Sequence, residues 1–290
     1  MTSLRLLHSW VRANQPGPIA LLDPGADMLV ADKSIPAVIL TGPLSEVPAH
    51  EILETLVLGA ETIHLHGDPG PLTRIMEMLN TAGTTRVLTG TGTVKPRESF
   101  GSDDVPHSRR DLFGLGRSDL PLPDEEMLPE DRERLALSQI LKAADLEPSA
   151  LADVDSHGLL LRTSGCTACG VCVKACPTDA LELSHLETGE NRRITTLSEY
   201  DSKCIGCRQC IDLCPVDAFE DGGFLSWETR LSESPRRPLE TVPTMRCEKC
   251  KTFFPMREGG TLCKTCSATR DNPFAIRWPE GVPKPPGFKF

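Results

Sequence analysis

Two segments of the chain carry the same cysteine pattern: CTACGVCVKACP at Cys166–Pro177 and CIGCRQCIDLCP at Cys204–Pro215. In each segment four cysteines have the spacing C-x2-C-x2-C-x3-C, and a proline follows the fourth. Cysteines this closely spaced favour metal binding over a disulfide framework. Zinc sites use paired cysteine knuckles rather than runs of four, so the doubled run points to iron–sulfur clusters.

The part of the chain that holds both runs resembles the bacterial dicluster ferredoxin family. In such proteins three cysteines of a run ligate one cluster and the fourth ligates the other. The resemblance therefore implies an α+β domain with two [4Fe–4S] clusters that transfers single electrons. It also implies the ligands, which are Cys166, Cys169, Cys172 and Cys214 for the first cluster and Cys204, Cys207, Cys210 and Cys176 for the second.

A third group of cysteines follows in CEKC (247–250) and CKTC (263–266), which are two knuckles that can close a tetrahedral site. This group is similar to zinc ribbons and also to rubredoxins, whose knuckles usually carry glycine after the second cysteine. Lys251 and Ser267 stand at those positions. We therefore expect structural zinc bound by Cys247, Cys250, Cys263 and Cys266, with mononuclear iron or a further cluster as the alternatives.

Composition and charge limit the classes of function. The 290 residues carry a formal charge of −10, and no block of Lys or Arg stands out. A nucleic-acid surface is therefore not expected, because it needs clustered basic residues. The sequence has no apolar run long enough to span a bilayer, and its first residues lack the apolar core of a secretory signal. We expect a cytoplasmic protein, which partners could hold at the cytoplasmic face of a membrane.

The first part of the chain alternates apolar strand-like segments with amphipathic helical ones. This alternation predicts a small parallel α/β sheet with helices. The expected strands are 18–23, 36–42, 62–67 and 86–92, and the expected helices include 71–83. The stretch LGAETIHLHGDPG resembles the delta-type iron–sulfur subunit of hydrogenases. Because no cysteine precedes Cys166, we expect this module to bind a partner rather than a cluster.

These patterns predict five regions. They are an α/β module (1–95), a linker with an amphipathic helix (96–156), a dicluster ferredoxin domain (157–222), a zinc-ribbon-like module (240–270) and a Pro-rich docking tail (271–290). The segments LELSHL and RITTLSEY, between the two cysteine runs, are typical of a β-hairpin around a TGEN turn.

One polar cluster in the α/β module could form a site. His64 and His66 lie near the end of a predicted strand and Asp68 follows, at the sheet edge where α/β proteins bind ligands. Two histidines without a third clear ligand are more often structural. The glycine turns nearby form neither a G-x-G-x-x-G motif nor a phosphate-binding loop.

The sequence contains no convincing catalytic constellation. The leading hypothesis is an electron-transfer subunit of a larger oxidoreductase, similar to those of hydrogenases or formate dehydrogenases, with other redox subunits as its partners. The alternatives are an accessory protein that matures a redox enzyme and a stand-alone enzyme with a flavin or nucleotide on the α/β module. Whether the chain is itself an enzyme stays open at this point.

Overall fold

The computed structural model describes residues 4–106, 124, 126–232, 236–256 and 260–271. Most of the acidic, Pro-rich part of the predicted linker and nearly all of the predicted docking tail lie outside these residues. The chain divides into two compact units, which are Met1–Gly158 with Leu225–Glu233 and Leu159–Phe224 with Ser234–Phe290.

The first unit is built on a parallel sheet of five strands. Their order is β4-β3-β1-β2-β5, and every pairing is parallel. The strands are β1 (Gly17–Leu22), β2 (Ala37–Ile39), β3 (Ala60–His66), β4 (Val87–Thr89) and β5 (Ser99–Gly101). The sequence-based prediction of a parallel α/β sheet with helices is thus confirmed, and β5 is an addition from the stretch for which a linker was expected.

Helices connect and cover the strands of this sheet. They are α1 (Arg5–Asn14), α2 (Ala49–Val57), α3 (Thr73–Thr81) and α4 (Pro129–Ala143). The helical spacing of Leu4, Leu7 and Val11 places all three in the core, with no exposed surface. Pro129 opens α4 at a position where its missing N–H costs nothing.

The α2 and α4 helices are joined by a buried ionic network. The Arg132 guanidinium, on α4, donates to both carboxylate oxygens of Glu54, on α2, at 2.8 and 2.6 Å. His8 contributes its Nε2, which lies 3.0 Å from the carbonyl oxygen of Glu51 and 3.1 Å from the Thr55 hydroxyl. These groups are almost fully buried, so each depends on its partners to replace water.

The second unit contains both cysteine runs and an antiparallel sheet of order β11-β10-β8-β7. The strands are β7 (Leu181–Gly189), β8 (Arg192–Glu199), β10 (Arg237–Arg246) and β11 (Phe253–Pro255). The β7–β8 pair is the hairpin that the sequence predicts between the runs. Strand β10 extends it and leads straight into Cys247, so one sheet adjoins all three cysteine groups.

Two further strands, β6 (Asp155–Thr163) and β9 (Phe219–Ser226), form a separate two-stranded sheet. Along the chain, β6 precedes the first cysteine run and β9 follows the second. Two short helices, α5 (Val171–Ala175) and α6 (Gln209–Asp212), contain the third cysteine of their run, and α7 (Lys264–Asp271) begins directly after Cys263. A search of the described residues for a helix both long and apolar enough to cross a lipid bilayer finds none.

Candidate metal centres

The two cysteine runs repeat the same backbone path. Ala168 and Gly206, at equivalent positions, have φ angles of 54° and 73°. Two residues later Gly170 and Arg208 have φ angles of 76° and 63° and begin short helices. These left-handed conformations curl each run, so that three of its cysteines face a common hollow. The repeat in the sequence is therefore also a repeat in the structure.

The first hollow brings together cysteines from both runs. Cys166, Cys169 and Cys172 come from the first run and Cys214 from the second. The rest of the lining is largely apolar and includes Leu183, Leu197, Val216 and Phe219. Cys166 and Cys172 are buried, whereas Cys169 is exposed.

The second hollow has the reciprocal composition. Cys204, Cys207 and Cys210 come from the second run, and Cys176 comes from the first. Leu159, Leu161, Leu181 and Ile205 supply much of its apolar wall. Again one cysteine of the three, Cys207, is exposed. Each hollow is therefore lined by three cysteines of one run and by the fourth cysteine of the other run.

Backbone amides stabilise the sulfur atoms in both hollows. The N–H groups of Ala180 and Ala218, four residues after Cys176 and Cys214, donate to those sulfurs at 3.3 Å in both cases. Ala168 donates to Cys166 at 3.3 Å, and Leu159 donates to Cys204 at 3.4 Å. N–H donors of this kind favour the anionic thiolate that a metal requires.

Burial works against the thiolate in the absence of a cation. It raises the pKa of Cys172 and of Cys210 to about 12, and the nearby cysteines add to the effect. It also raises the pKa of Cys204 to about 11. Such thiols ionise near neutral pH only if a metal compensates their charge. Each hollow offers four thiols set largely among apolar residues, a donor set that fits a cubane cluster.

Two acidic side chains of the antiparallel sheet lie beside the cysteines. On β10, Glu240 accepts the backbone N–H of Cys166 at 2.9 Å. On β8, Glu199 is fully buried; burial raises its pKa to about 7, although the Arg237 guanidinium, which donates to it at 2.6 Å, opposes the shift. Arg237 also donates to Asp201. Neither acid could be predicted from the sequence, because nothing in the local pattern relates β10 to a cysteine 74 positions earlier.

Comparison with known families agrees with this geometry. The family model described as the 4Fe-4S dicluster domain matches residues 165–218. This segment resembles a 4Fe-4S dicluster domain. The match includes all eight cysteines of the two runs and covers less than a fifth of the chain. No curated protein matches the chain. The dicluster segment thus carries the similarity to known iron–sulfur proteins, and it supports iron–sulfur electron transfer as the chemistry of this unit.

The four sulfur atoms of the third cysteine group lie close together. The sulfurs of Cys247, Cys250, Cys263 and Cys266 all lie within 4.8 Å of one another, which suits a single ion. The Cys250 and Cys263 sulfurs are 3.7 Å apart. Cys247 and Cys266 are buried and Cys250 is exposed, so the group has an inner and an outer side.

The pKa values in the third group diverge. Burial opposes ionisation of Cys247, but the N–H groups of Cys250, Cys263 and Lys249 outweigh it and lower the pKa to about 6. One of these donors, the Cys263 N–H, lies 3.3 Å from the Cys247 sulfur. Burial raises the pKa of Cys266 to about 12, with contributions from the other cysteines. Hydrogen bonds, chiefly from the Thr252 N–H, also lower the pKa of Cys250. A group of four thiols in which hydrogen bonds favour the thiolate at two positions is suited to a metal cation, either zinc or iron.

The α/β unit was the other place where the sequence suggested a site. Asp23 follows β1 and Asp68 follows β3, which are neighbouring strands. From β1 the chain continues to β2 and from β3 to β4, in opposite directions along the strand order. Such a divergence is where open α/β sheets bind ligands. Here Asp23 accepts the N–H of Leu44 with one carboxylate oxygen and the N–H of Asp68, at 3.2 Å, with the other.

Among the described residues, no group of three potential metal ligands includes His64 or His66. His66 is buried, and its Nε2 has no hydrogen-bond partner among the described residues. Burial lowers the pKa of both His64 and His66, so both are neutral near pH 7. His64 Nε2 lies 3.4 Å from the Thr62 hydroxyl. The lack of a third ligand among the described residues favours a structural role for these two histidines.

Proposed function

We propose that the chain is the iron–sulfur subunit of a multi-subunit oxidoreductase and relays single electrons through two [4Fe–4S] clusters. The observation that carries this proposal is the exchange of cysteines between the runs, since each hollow takes three from one run and the fourth from the other. A cluster held by four thiolates accepts and donates one electron and has no open position for a substrate.

We assign the first site to Cys166, Cys169, Cys172 and Cys214, and the second site to Cys204, Cys207, Cys210 and Cys176. The chain's own residues would perform three tasks there. Apolar side chains such as Leu183 and Leu161 would exclude water, backbone N–H groups would stabilise the sulfur charge, and the exposed Cys169 and Cys207 would lie nearest to a partner. Each of these exposed cysteines would mark the point at which electrons enter or leave its site.

The third cysteine group completes the proposed set of metals. We assign a structural zinc ion to Cys247, Cys250, Cys263 and Cys266, with iron as the alternative. The close grouping of four thiols supports one ion, and the knuckle that begins with Cys247 follows β10 directly. The ion would fix the loop between β10 and β11, at the end of the sheet where the Arg246 N–H donates to the carbonyl oxygen of Asn191 in the β7–β8 turn.

The α/β unit is proposed to dock partner subunits rather than to bind a nucleotide. A phosphate group at its diverging strands would need free N–H donors. Asp23 already accepts two of them, from Leu44 and Asp68, and adds negative charge at that edge. This arrangement weighs against a flavin or nucleotide enzyme. A maturation factor would also dock a partner, but it would bind only the cofactor-free form of that partner.

The direct test is anaerobic purification of the tagged protein from its native cells, followed by iron and sulfide assays and identification of co-eluting chains. We expect about eight irons and eight sulfides per chain and stoichiometric co-elution with a catalytic subunit that bears a metal or flavin. A loaded monomer that elutes alone would refute the subunit proposal. Binding only to a cofactor-free partner would establish the maturation factor instead.

The ligand assignment is tested by Cys172→Ser, with the neighbouring Val173→Ala as the matched control. Loss of one of the four thiolates of the first site should remove about four irons and half of the electron paramagnetic resonance signal of the reduced protein. The control should load both clusters. Full iron content in the serine variant would contradict the assignment.

A further inference from the structure

A carboxylate stands against the first cysteine site. Glu240 Oε2 accepts the backbone N–H of Cys166 at 2.9 Å. Glu240 lies 74 residues along the chain from Cys166, so the contact depends on the tertiary fold and not on the cysteine run itself. The contact is made by the antiparallel sheet, through its strand β10.

The backbone of β10 directs Glu240 to this place. The pairing between β10 and β8 shifts register between Pro238 and Glu240, and beyond the shift Glu240 pairs with Leu197. Irregularities of this kind re-aim a side chain on an otherwise regular strand. Two residues further on, on the same face of the strand, Val242 is buried in the core that contains Cys166. An acid on the core-facing side of a strand calls for a reason, since a residue such as Val242 would normally occupy it.

The internal repeat supplies a built-in comparison. Cys204 is the residue of the second run that corresponds to Cys166, and its N–H lies 3.4 Å from a neutral acceptor, the backbone carbonyl of Asp201. The same N–H is therefore paired with a charged side chain at the first site and with a neutral backbone group at the second. The difference lies in the acceptor and not in the cysteine pattern.

The charge of Glu240 also reaches the sulfur. Glu240 Oε2 lies 2.9 Å from the backbone nitrogen of Cys166, the residue whose sulfur would bind a cluster at the first site. A negative charge this close disfavours an electron added to a cluster bound by Cys166, since it repels the negative charge that the electron brings.

We propose that Glu240 is a positioning residue that holds the Cys166 end of the first run and lowers the reduction potential of a cluster bound at the first site. This inference rests on the proposed function, because it assumes that the site holds a redox-active cluster. It assigns to β10, which lies outside the matched segment 165–218, a direct part in the electron-transfer properties of the protein.

Glu240→Gln tests the proposal in the full-length, cluster-loaded protein. Glutamine keeps an oxygen that can accept the Cys166 N–H and removes the charge. In a potentiometric titration followed by electron paramagnetic resonance, we expect one cluster to become easier to reduce by about tenfold in its equilibrium, which is about 59 mV for a one-electron couple. The affected cluster should be the one whose signal is lost in Cys169→Ser. Glu187→Gln, on the exposed part of β7 in the same sheet, should leave both potentials unchanged.

The possible outcomes are distinct. If Glu240→Gln loads both clusters and neither potential moves, Glu240 has only a structural part and the inference is refuted. A shift of the other cluster also refutes it. If the glutamine variant fails to assemble, Glu240→Asp, which keeps the charge but withdraws it from Cys166, should give a smaller shift of the same cluster and in the same direction; no shift there counts against the inference. Wild-type protein without cluster signals would refute the proposed function itself.

Discussion

The carboxylate of Asp23 fills the space that a side chain at Gly67 would have to occupy. A Cβ atom built at Gly67 overlaps the Asp23 carboxylate, and Gly67 has a φ of 145°, which L-amino acids rarely adopt. The same carboxylate accepts N–H groups of Leu44 and Asp68. Asp23 and Gly67 therefore together close the edge of the parallel sheet at the ends of β1 and β3.

Substitution Gly67→Ala should destabilise the α/β unit by about 3 kcal/mol, because it adds backbone strain and displaces the Asp23 carboxylate from its donors. Gly25→Ala is the matched control, since Gly25 has a φ of 80° but nothing within 4 Å of an added Cβ. The control should cost about 1 kcal/mol. Amide hydrogen exchange of β1 and β3 measures both. Equal effects of the two substitutions would show that the contact with Asp23 contributes nothing.

Arg132→Met should destabilise the same unit by about 3–5 kcal/mol, because the Glu54 carboxylate would be left buried without its partner. The Arg132 side chain is 12% exposed and that of Glu54 is 6% exposed. Arg134→Met on the same helix is the control: its side chain is 32% exposed and lies 3.8 Å from Asp131, so the change should stay within about 0.5 kcal/mol. Exchange rates of α2 and α4 amides give the comparison. A similar, small effect of both substitutions would mean that Glu54 is not held as a buried ion.

The α/β unit should lose stability as the pH falls from about 6.5 to 4. Burial lowers the pKa of His8 from 6.5 to about 4, so below pH 6.5 the unfolded state binds a proton that the folded state does not. The loss from His8 should reach about 3 kcal/mol at pH 4. His50, whose pKa burial also lowers to about 4, adds to it.

The measurement for this prediction is amide exchange of α2 at several pH values, corrected for the intrinsic rate. His8→Gln should reduce the pH dependence, whereas His185→Gln, on the β7–β8 hairpin of the other unit, should not alter it. A wild-type α2 that is equally protected at pH 7 and pH 4.5 would show that His8 takes up its proton without cost.

Cys263→Ser should release the metal of the third cysteine group. The variant keeps three thiols, and its N–H can still donate to the Cys247 sulfur. We expect loss of one metal equivalent by elemental mass spectrometry, which also identifies the metal as zinc or iron, and faster amide exchange in β11. Lys264→Gln, at the next residue, should retain the metal. Retained metal in the serine variant would contradict four-thiol ligation.

The sequence predicts the parallel sheet well because buried strands and amphipathic helices leave strong local patterns. Strand β3 was expected at 62–67 and lies at Ala60–His66; the helix expected at 71–83 is Thr73–Thr81, preceded by a short turn of 3-10 helix at Gly70–Leu72. Strand β5 was not predicted, because Ser99–Gly101 has only three residues and little apolar character. Its place in the sheet depends on its pairing with β2.

The candidate sites show the same division. The cysteine runs can be recognised from the sequence, because their spacing is local and repeated. Glu240 and Glu199 cannot be recognised in this way, since their proximity to Cys166 and Cys204 depends on how β8 pairs with β10. No pattern in one sequence distinguishes these acids from the chain's many other Asp and Glu residues. The tertiary contact alone identifies them.

The exchange of cysteines between the two hollows has a consequence for biosynthesis. The first three cysteines leave the ribosome well before Cys214, which lines the same hollow. During that interval they form an incomplete set of thiols, and the second hollow is completed only by a run that is synthesised later. A chain stalled before Cys204 can close neither hollow. Completion of either set of four thiols therefore waits for synthesis of the second run, and the two sets are completed almost together.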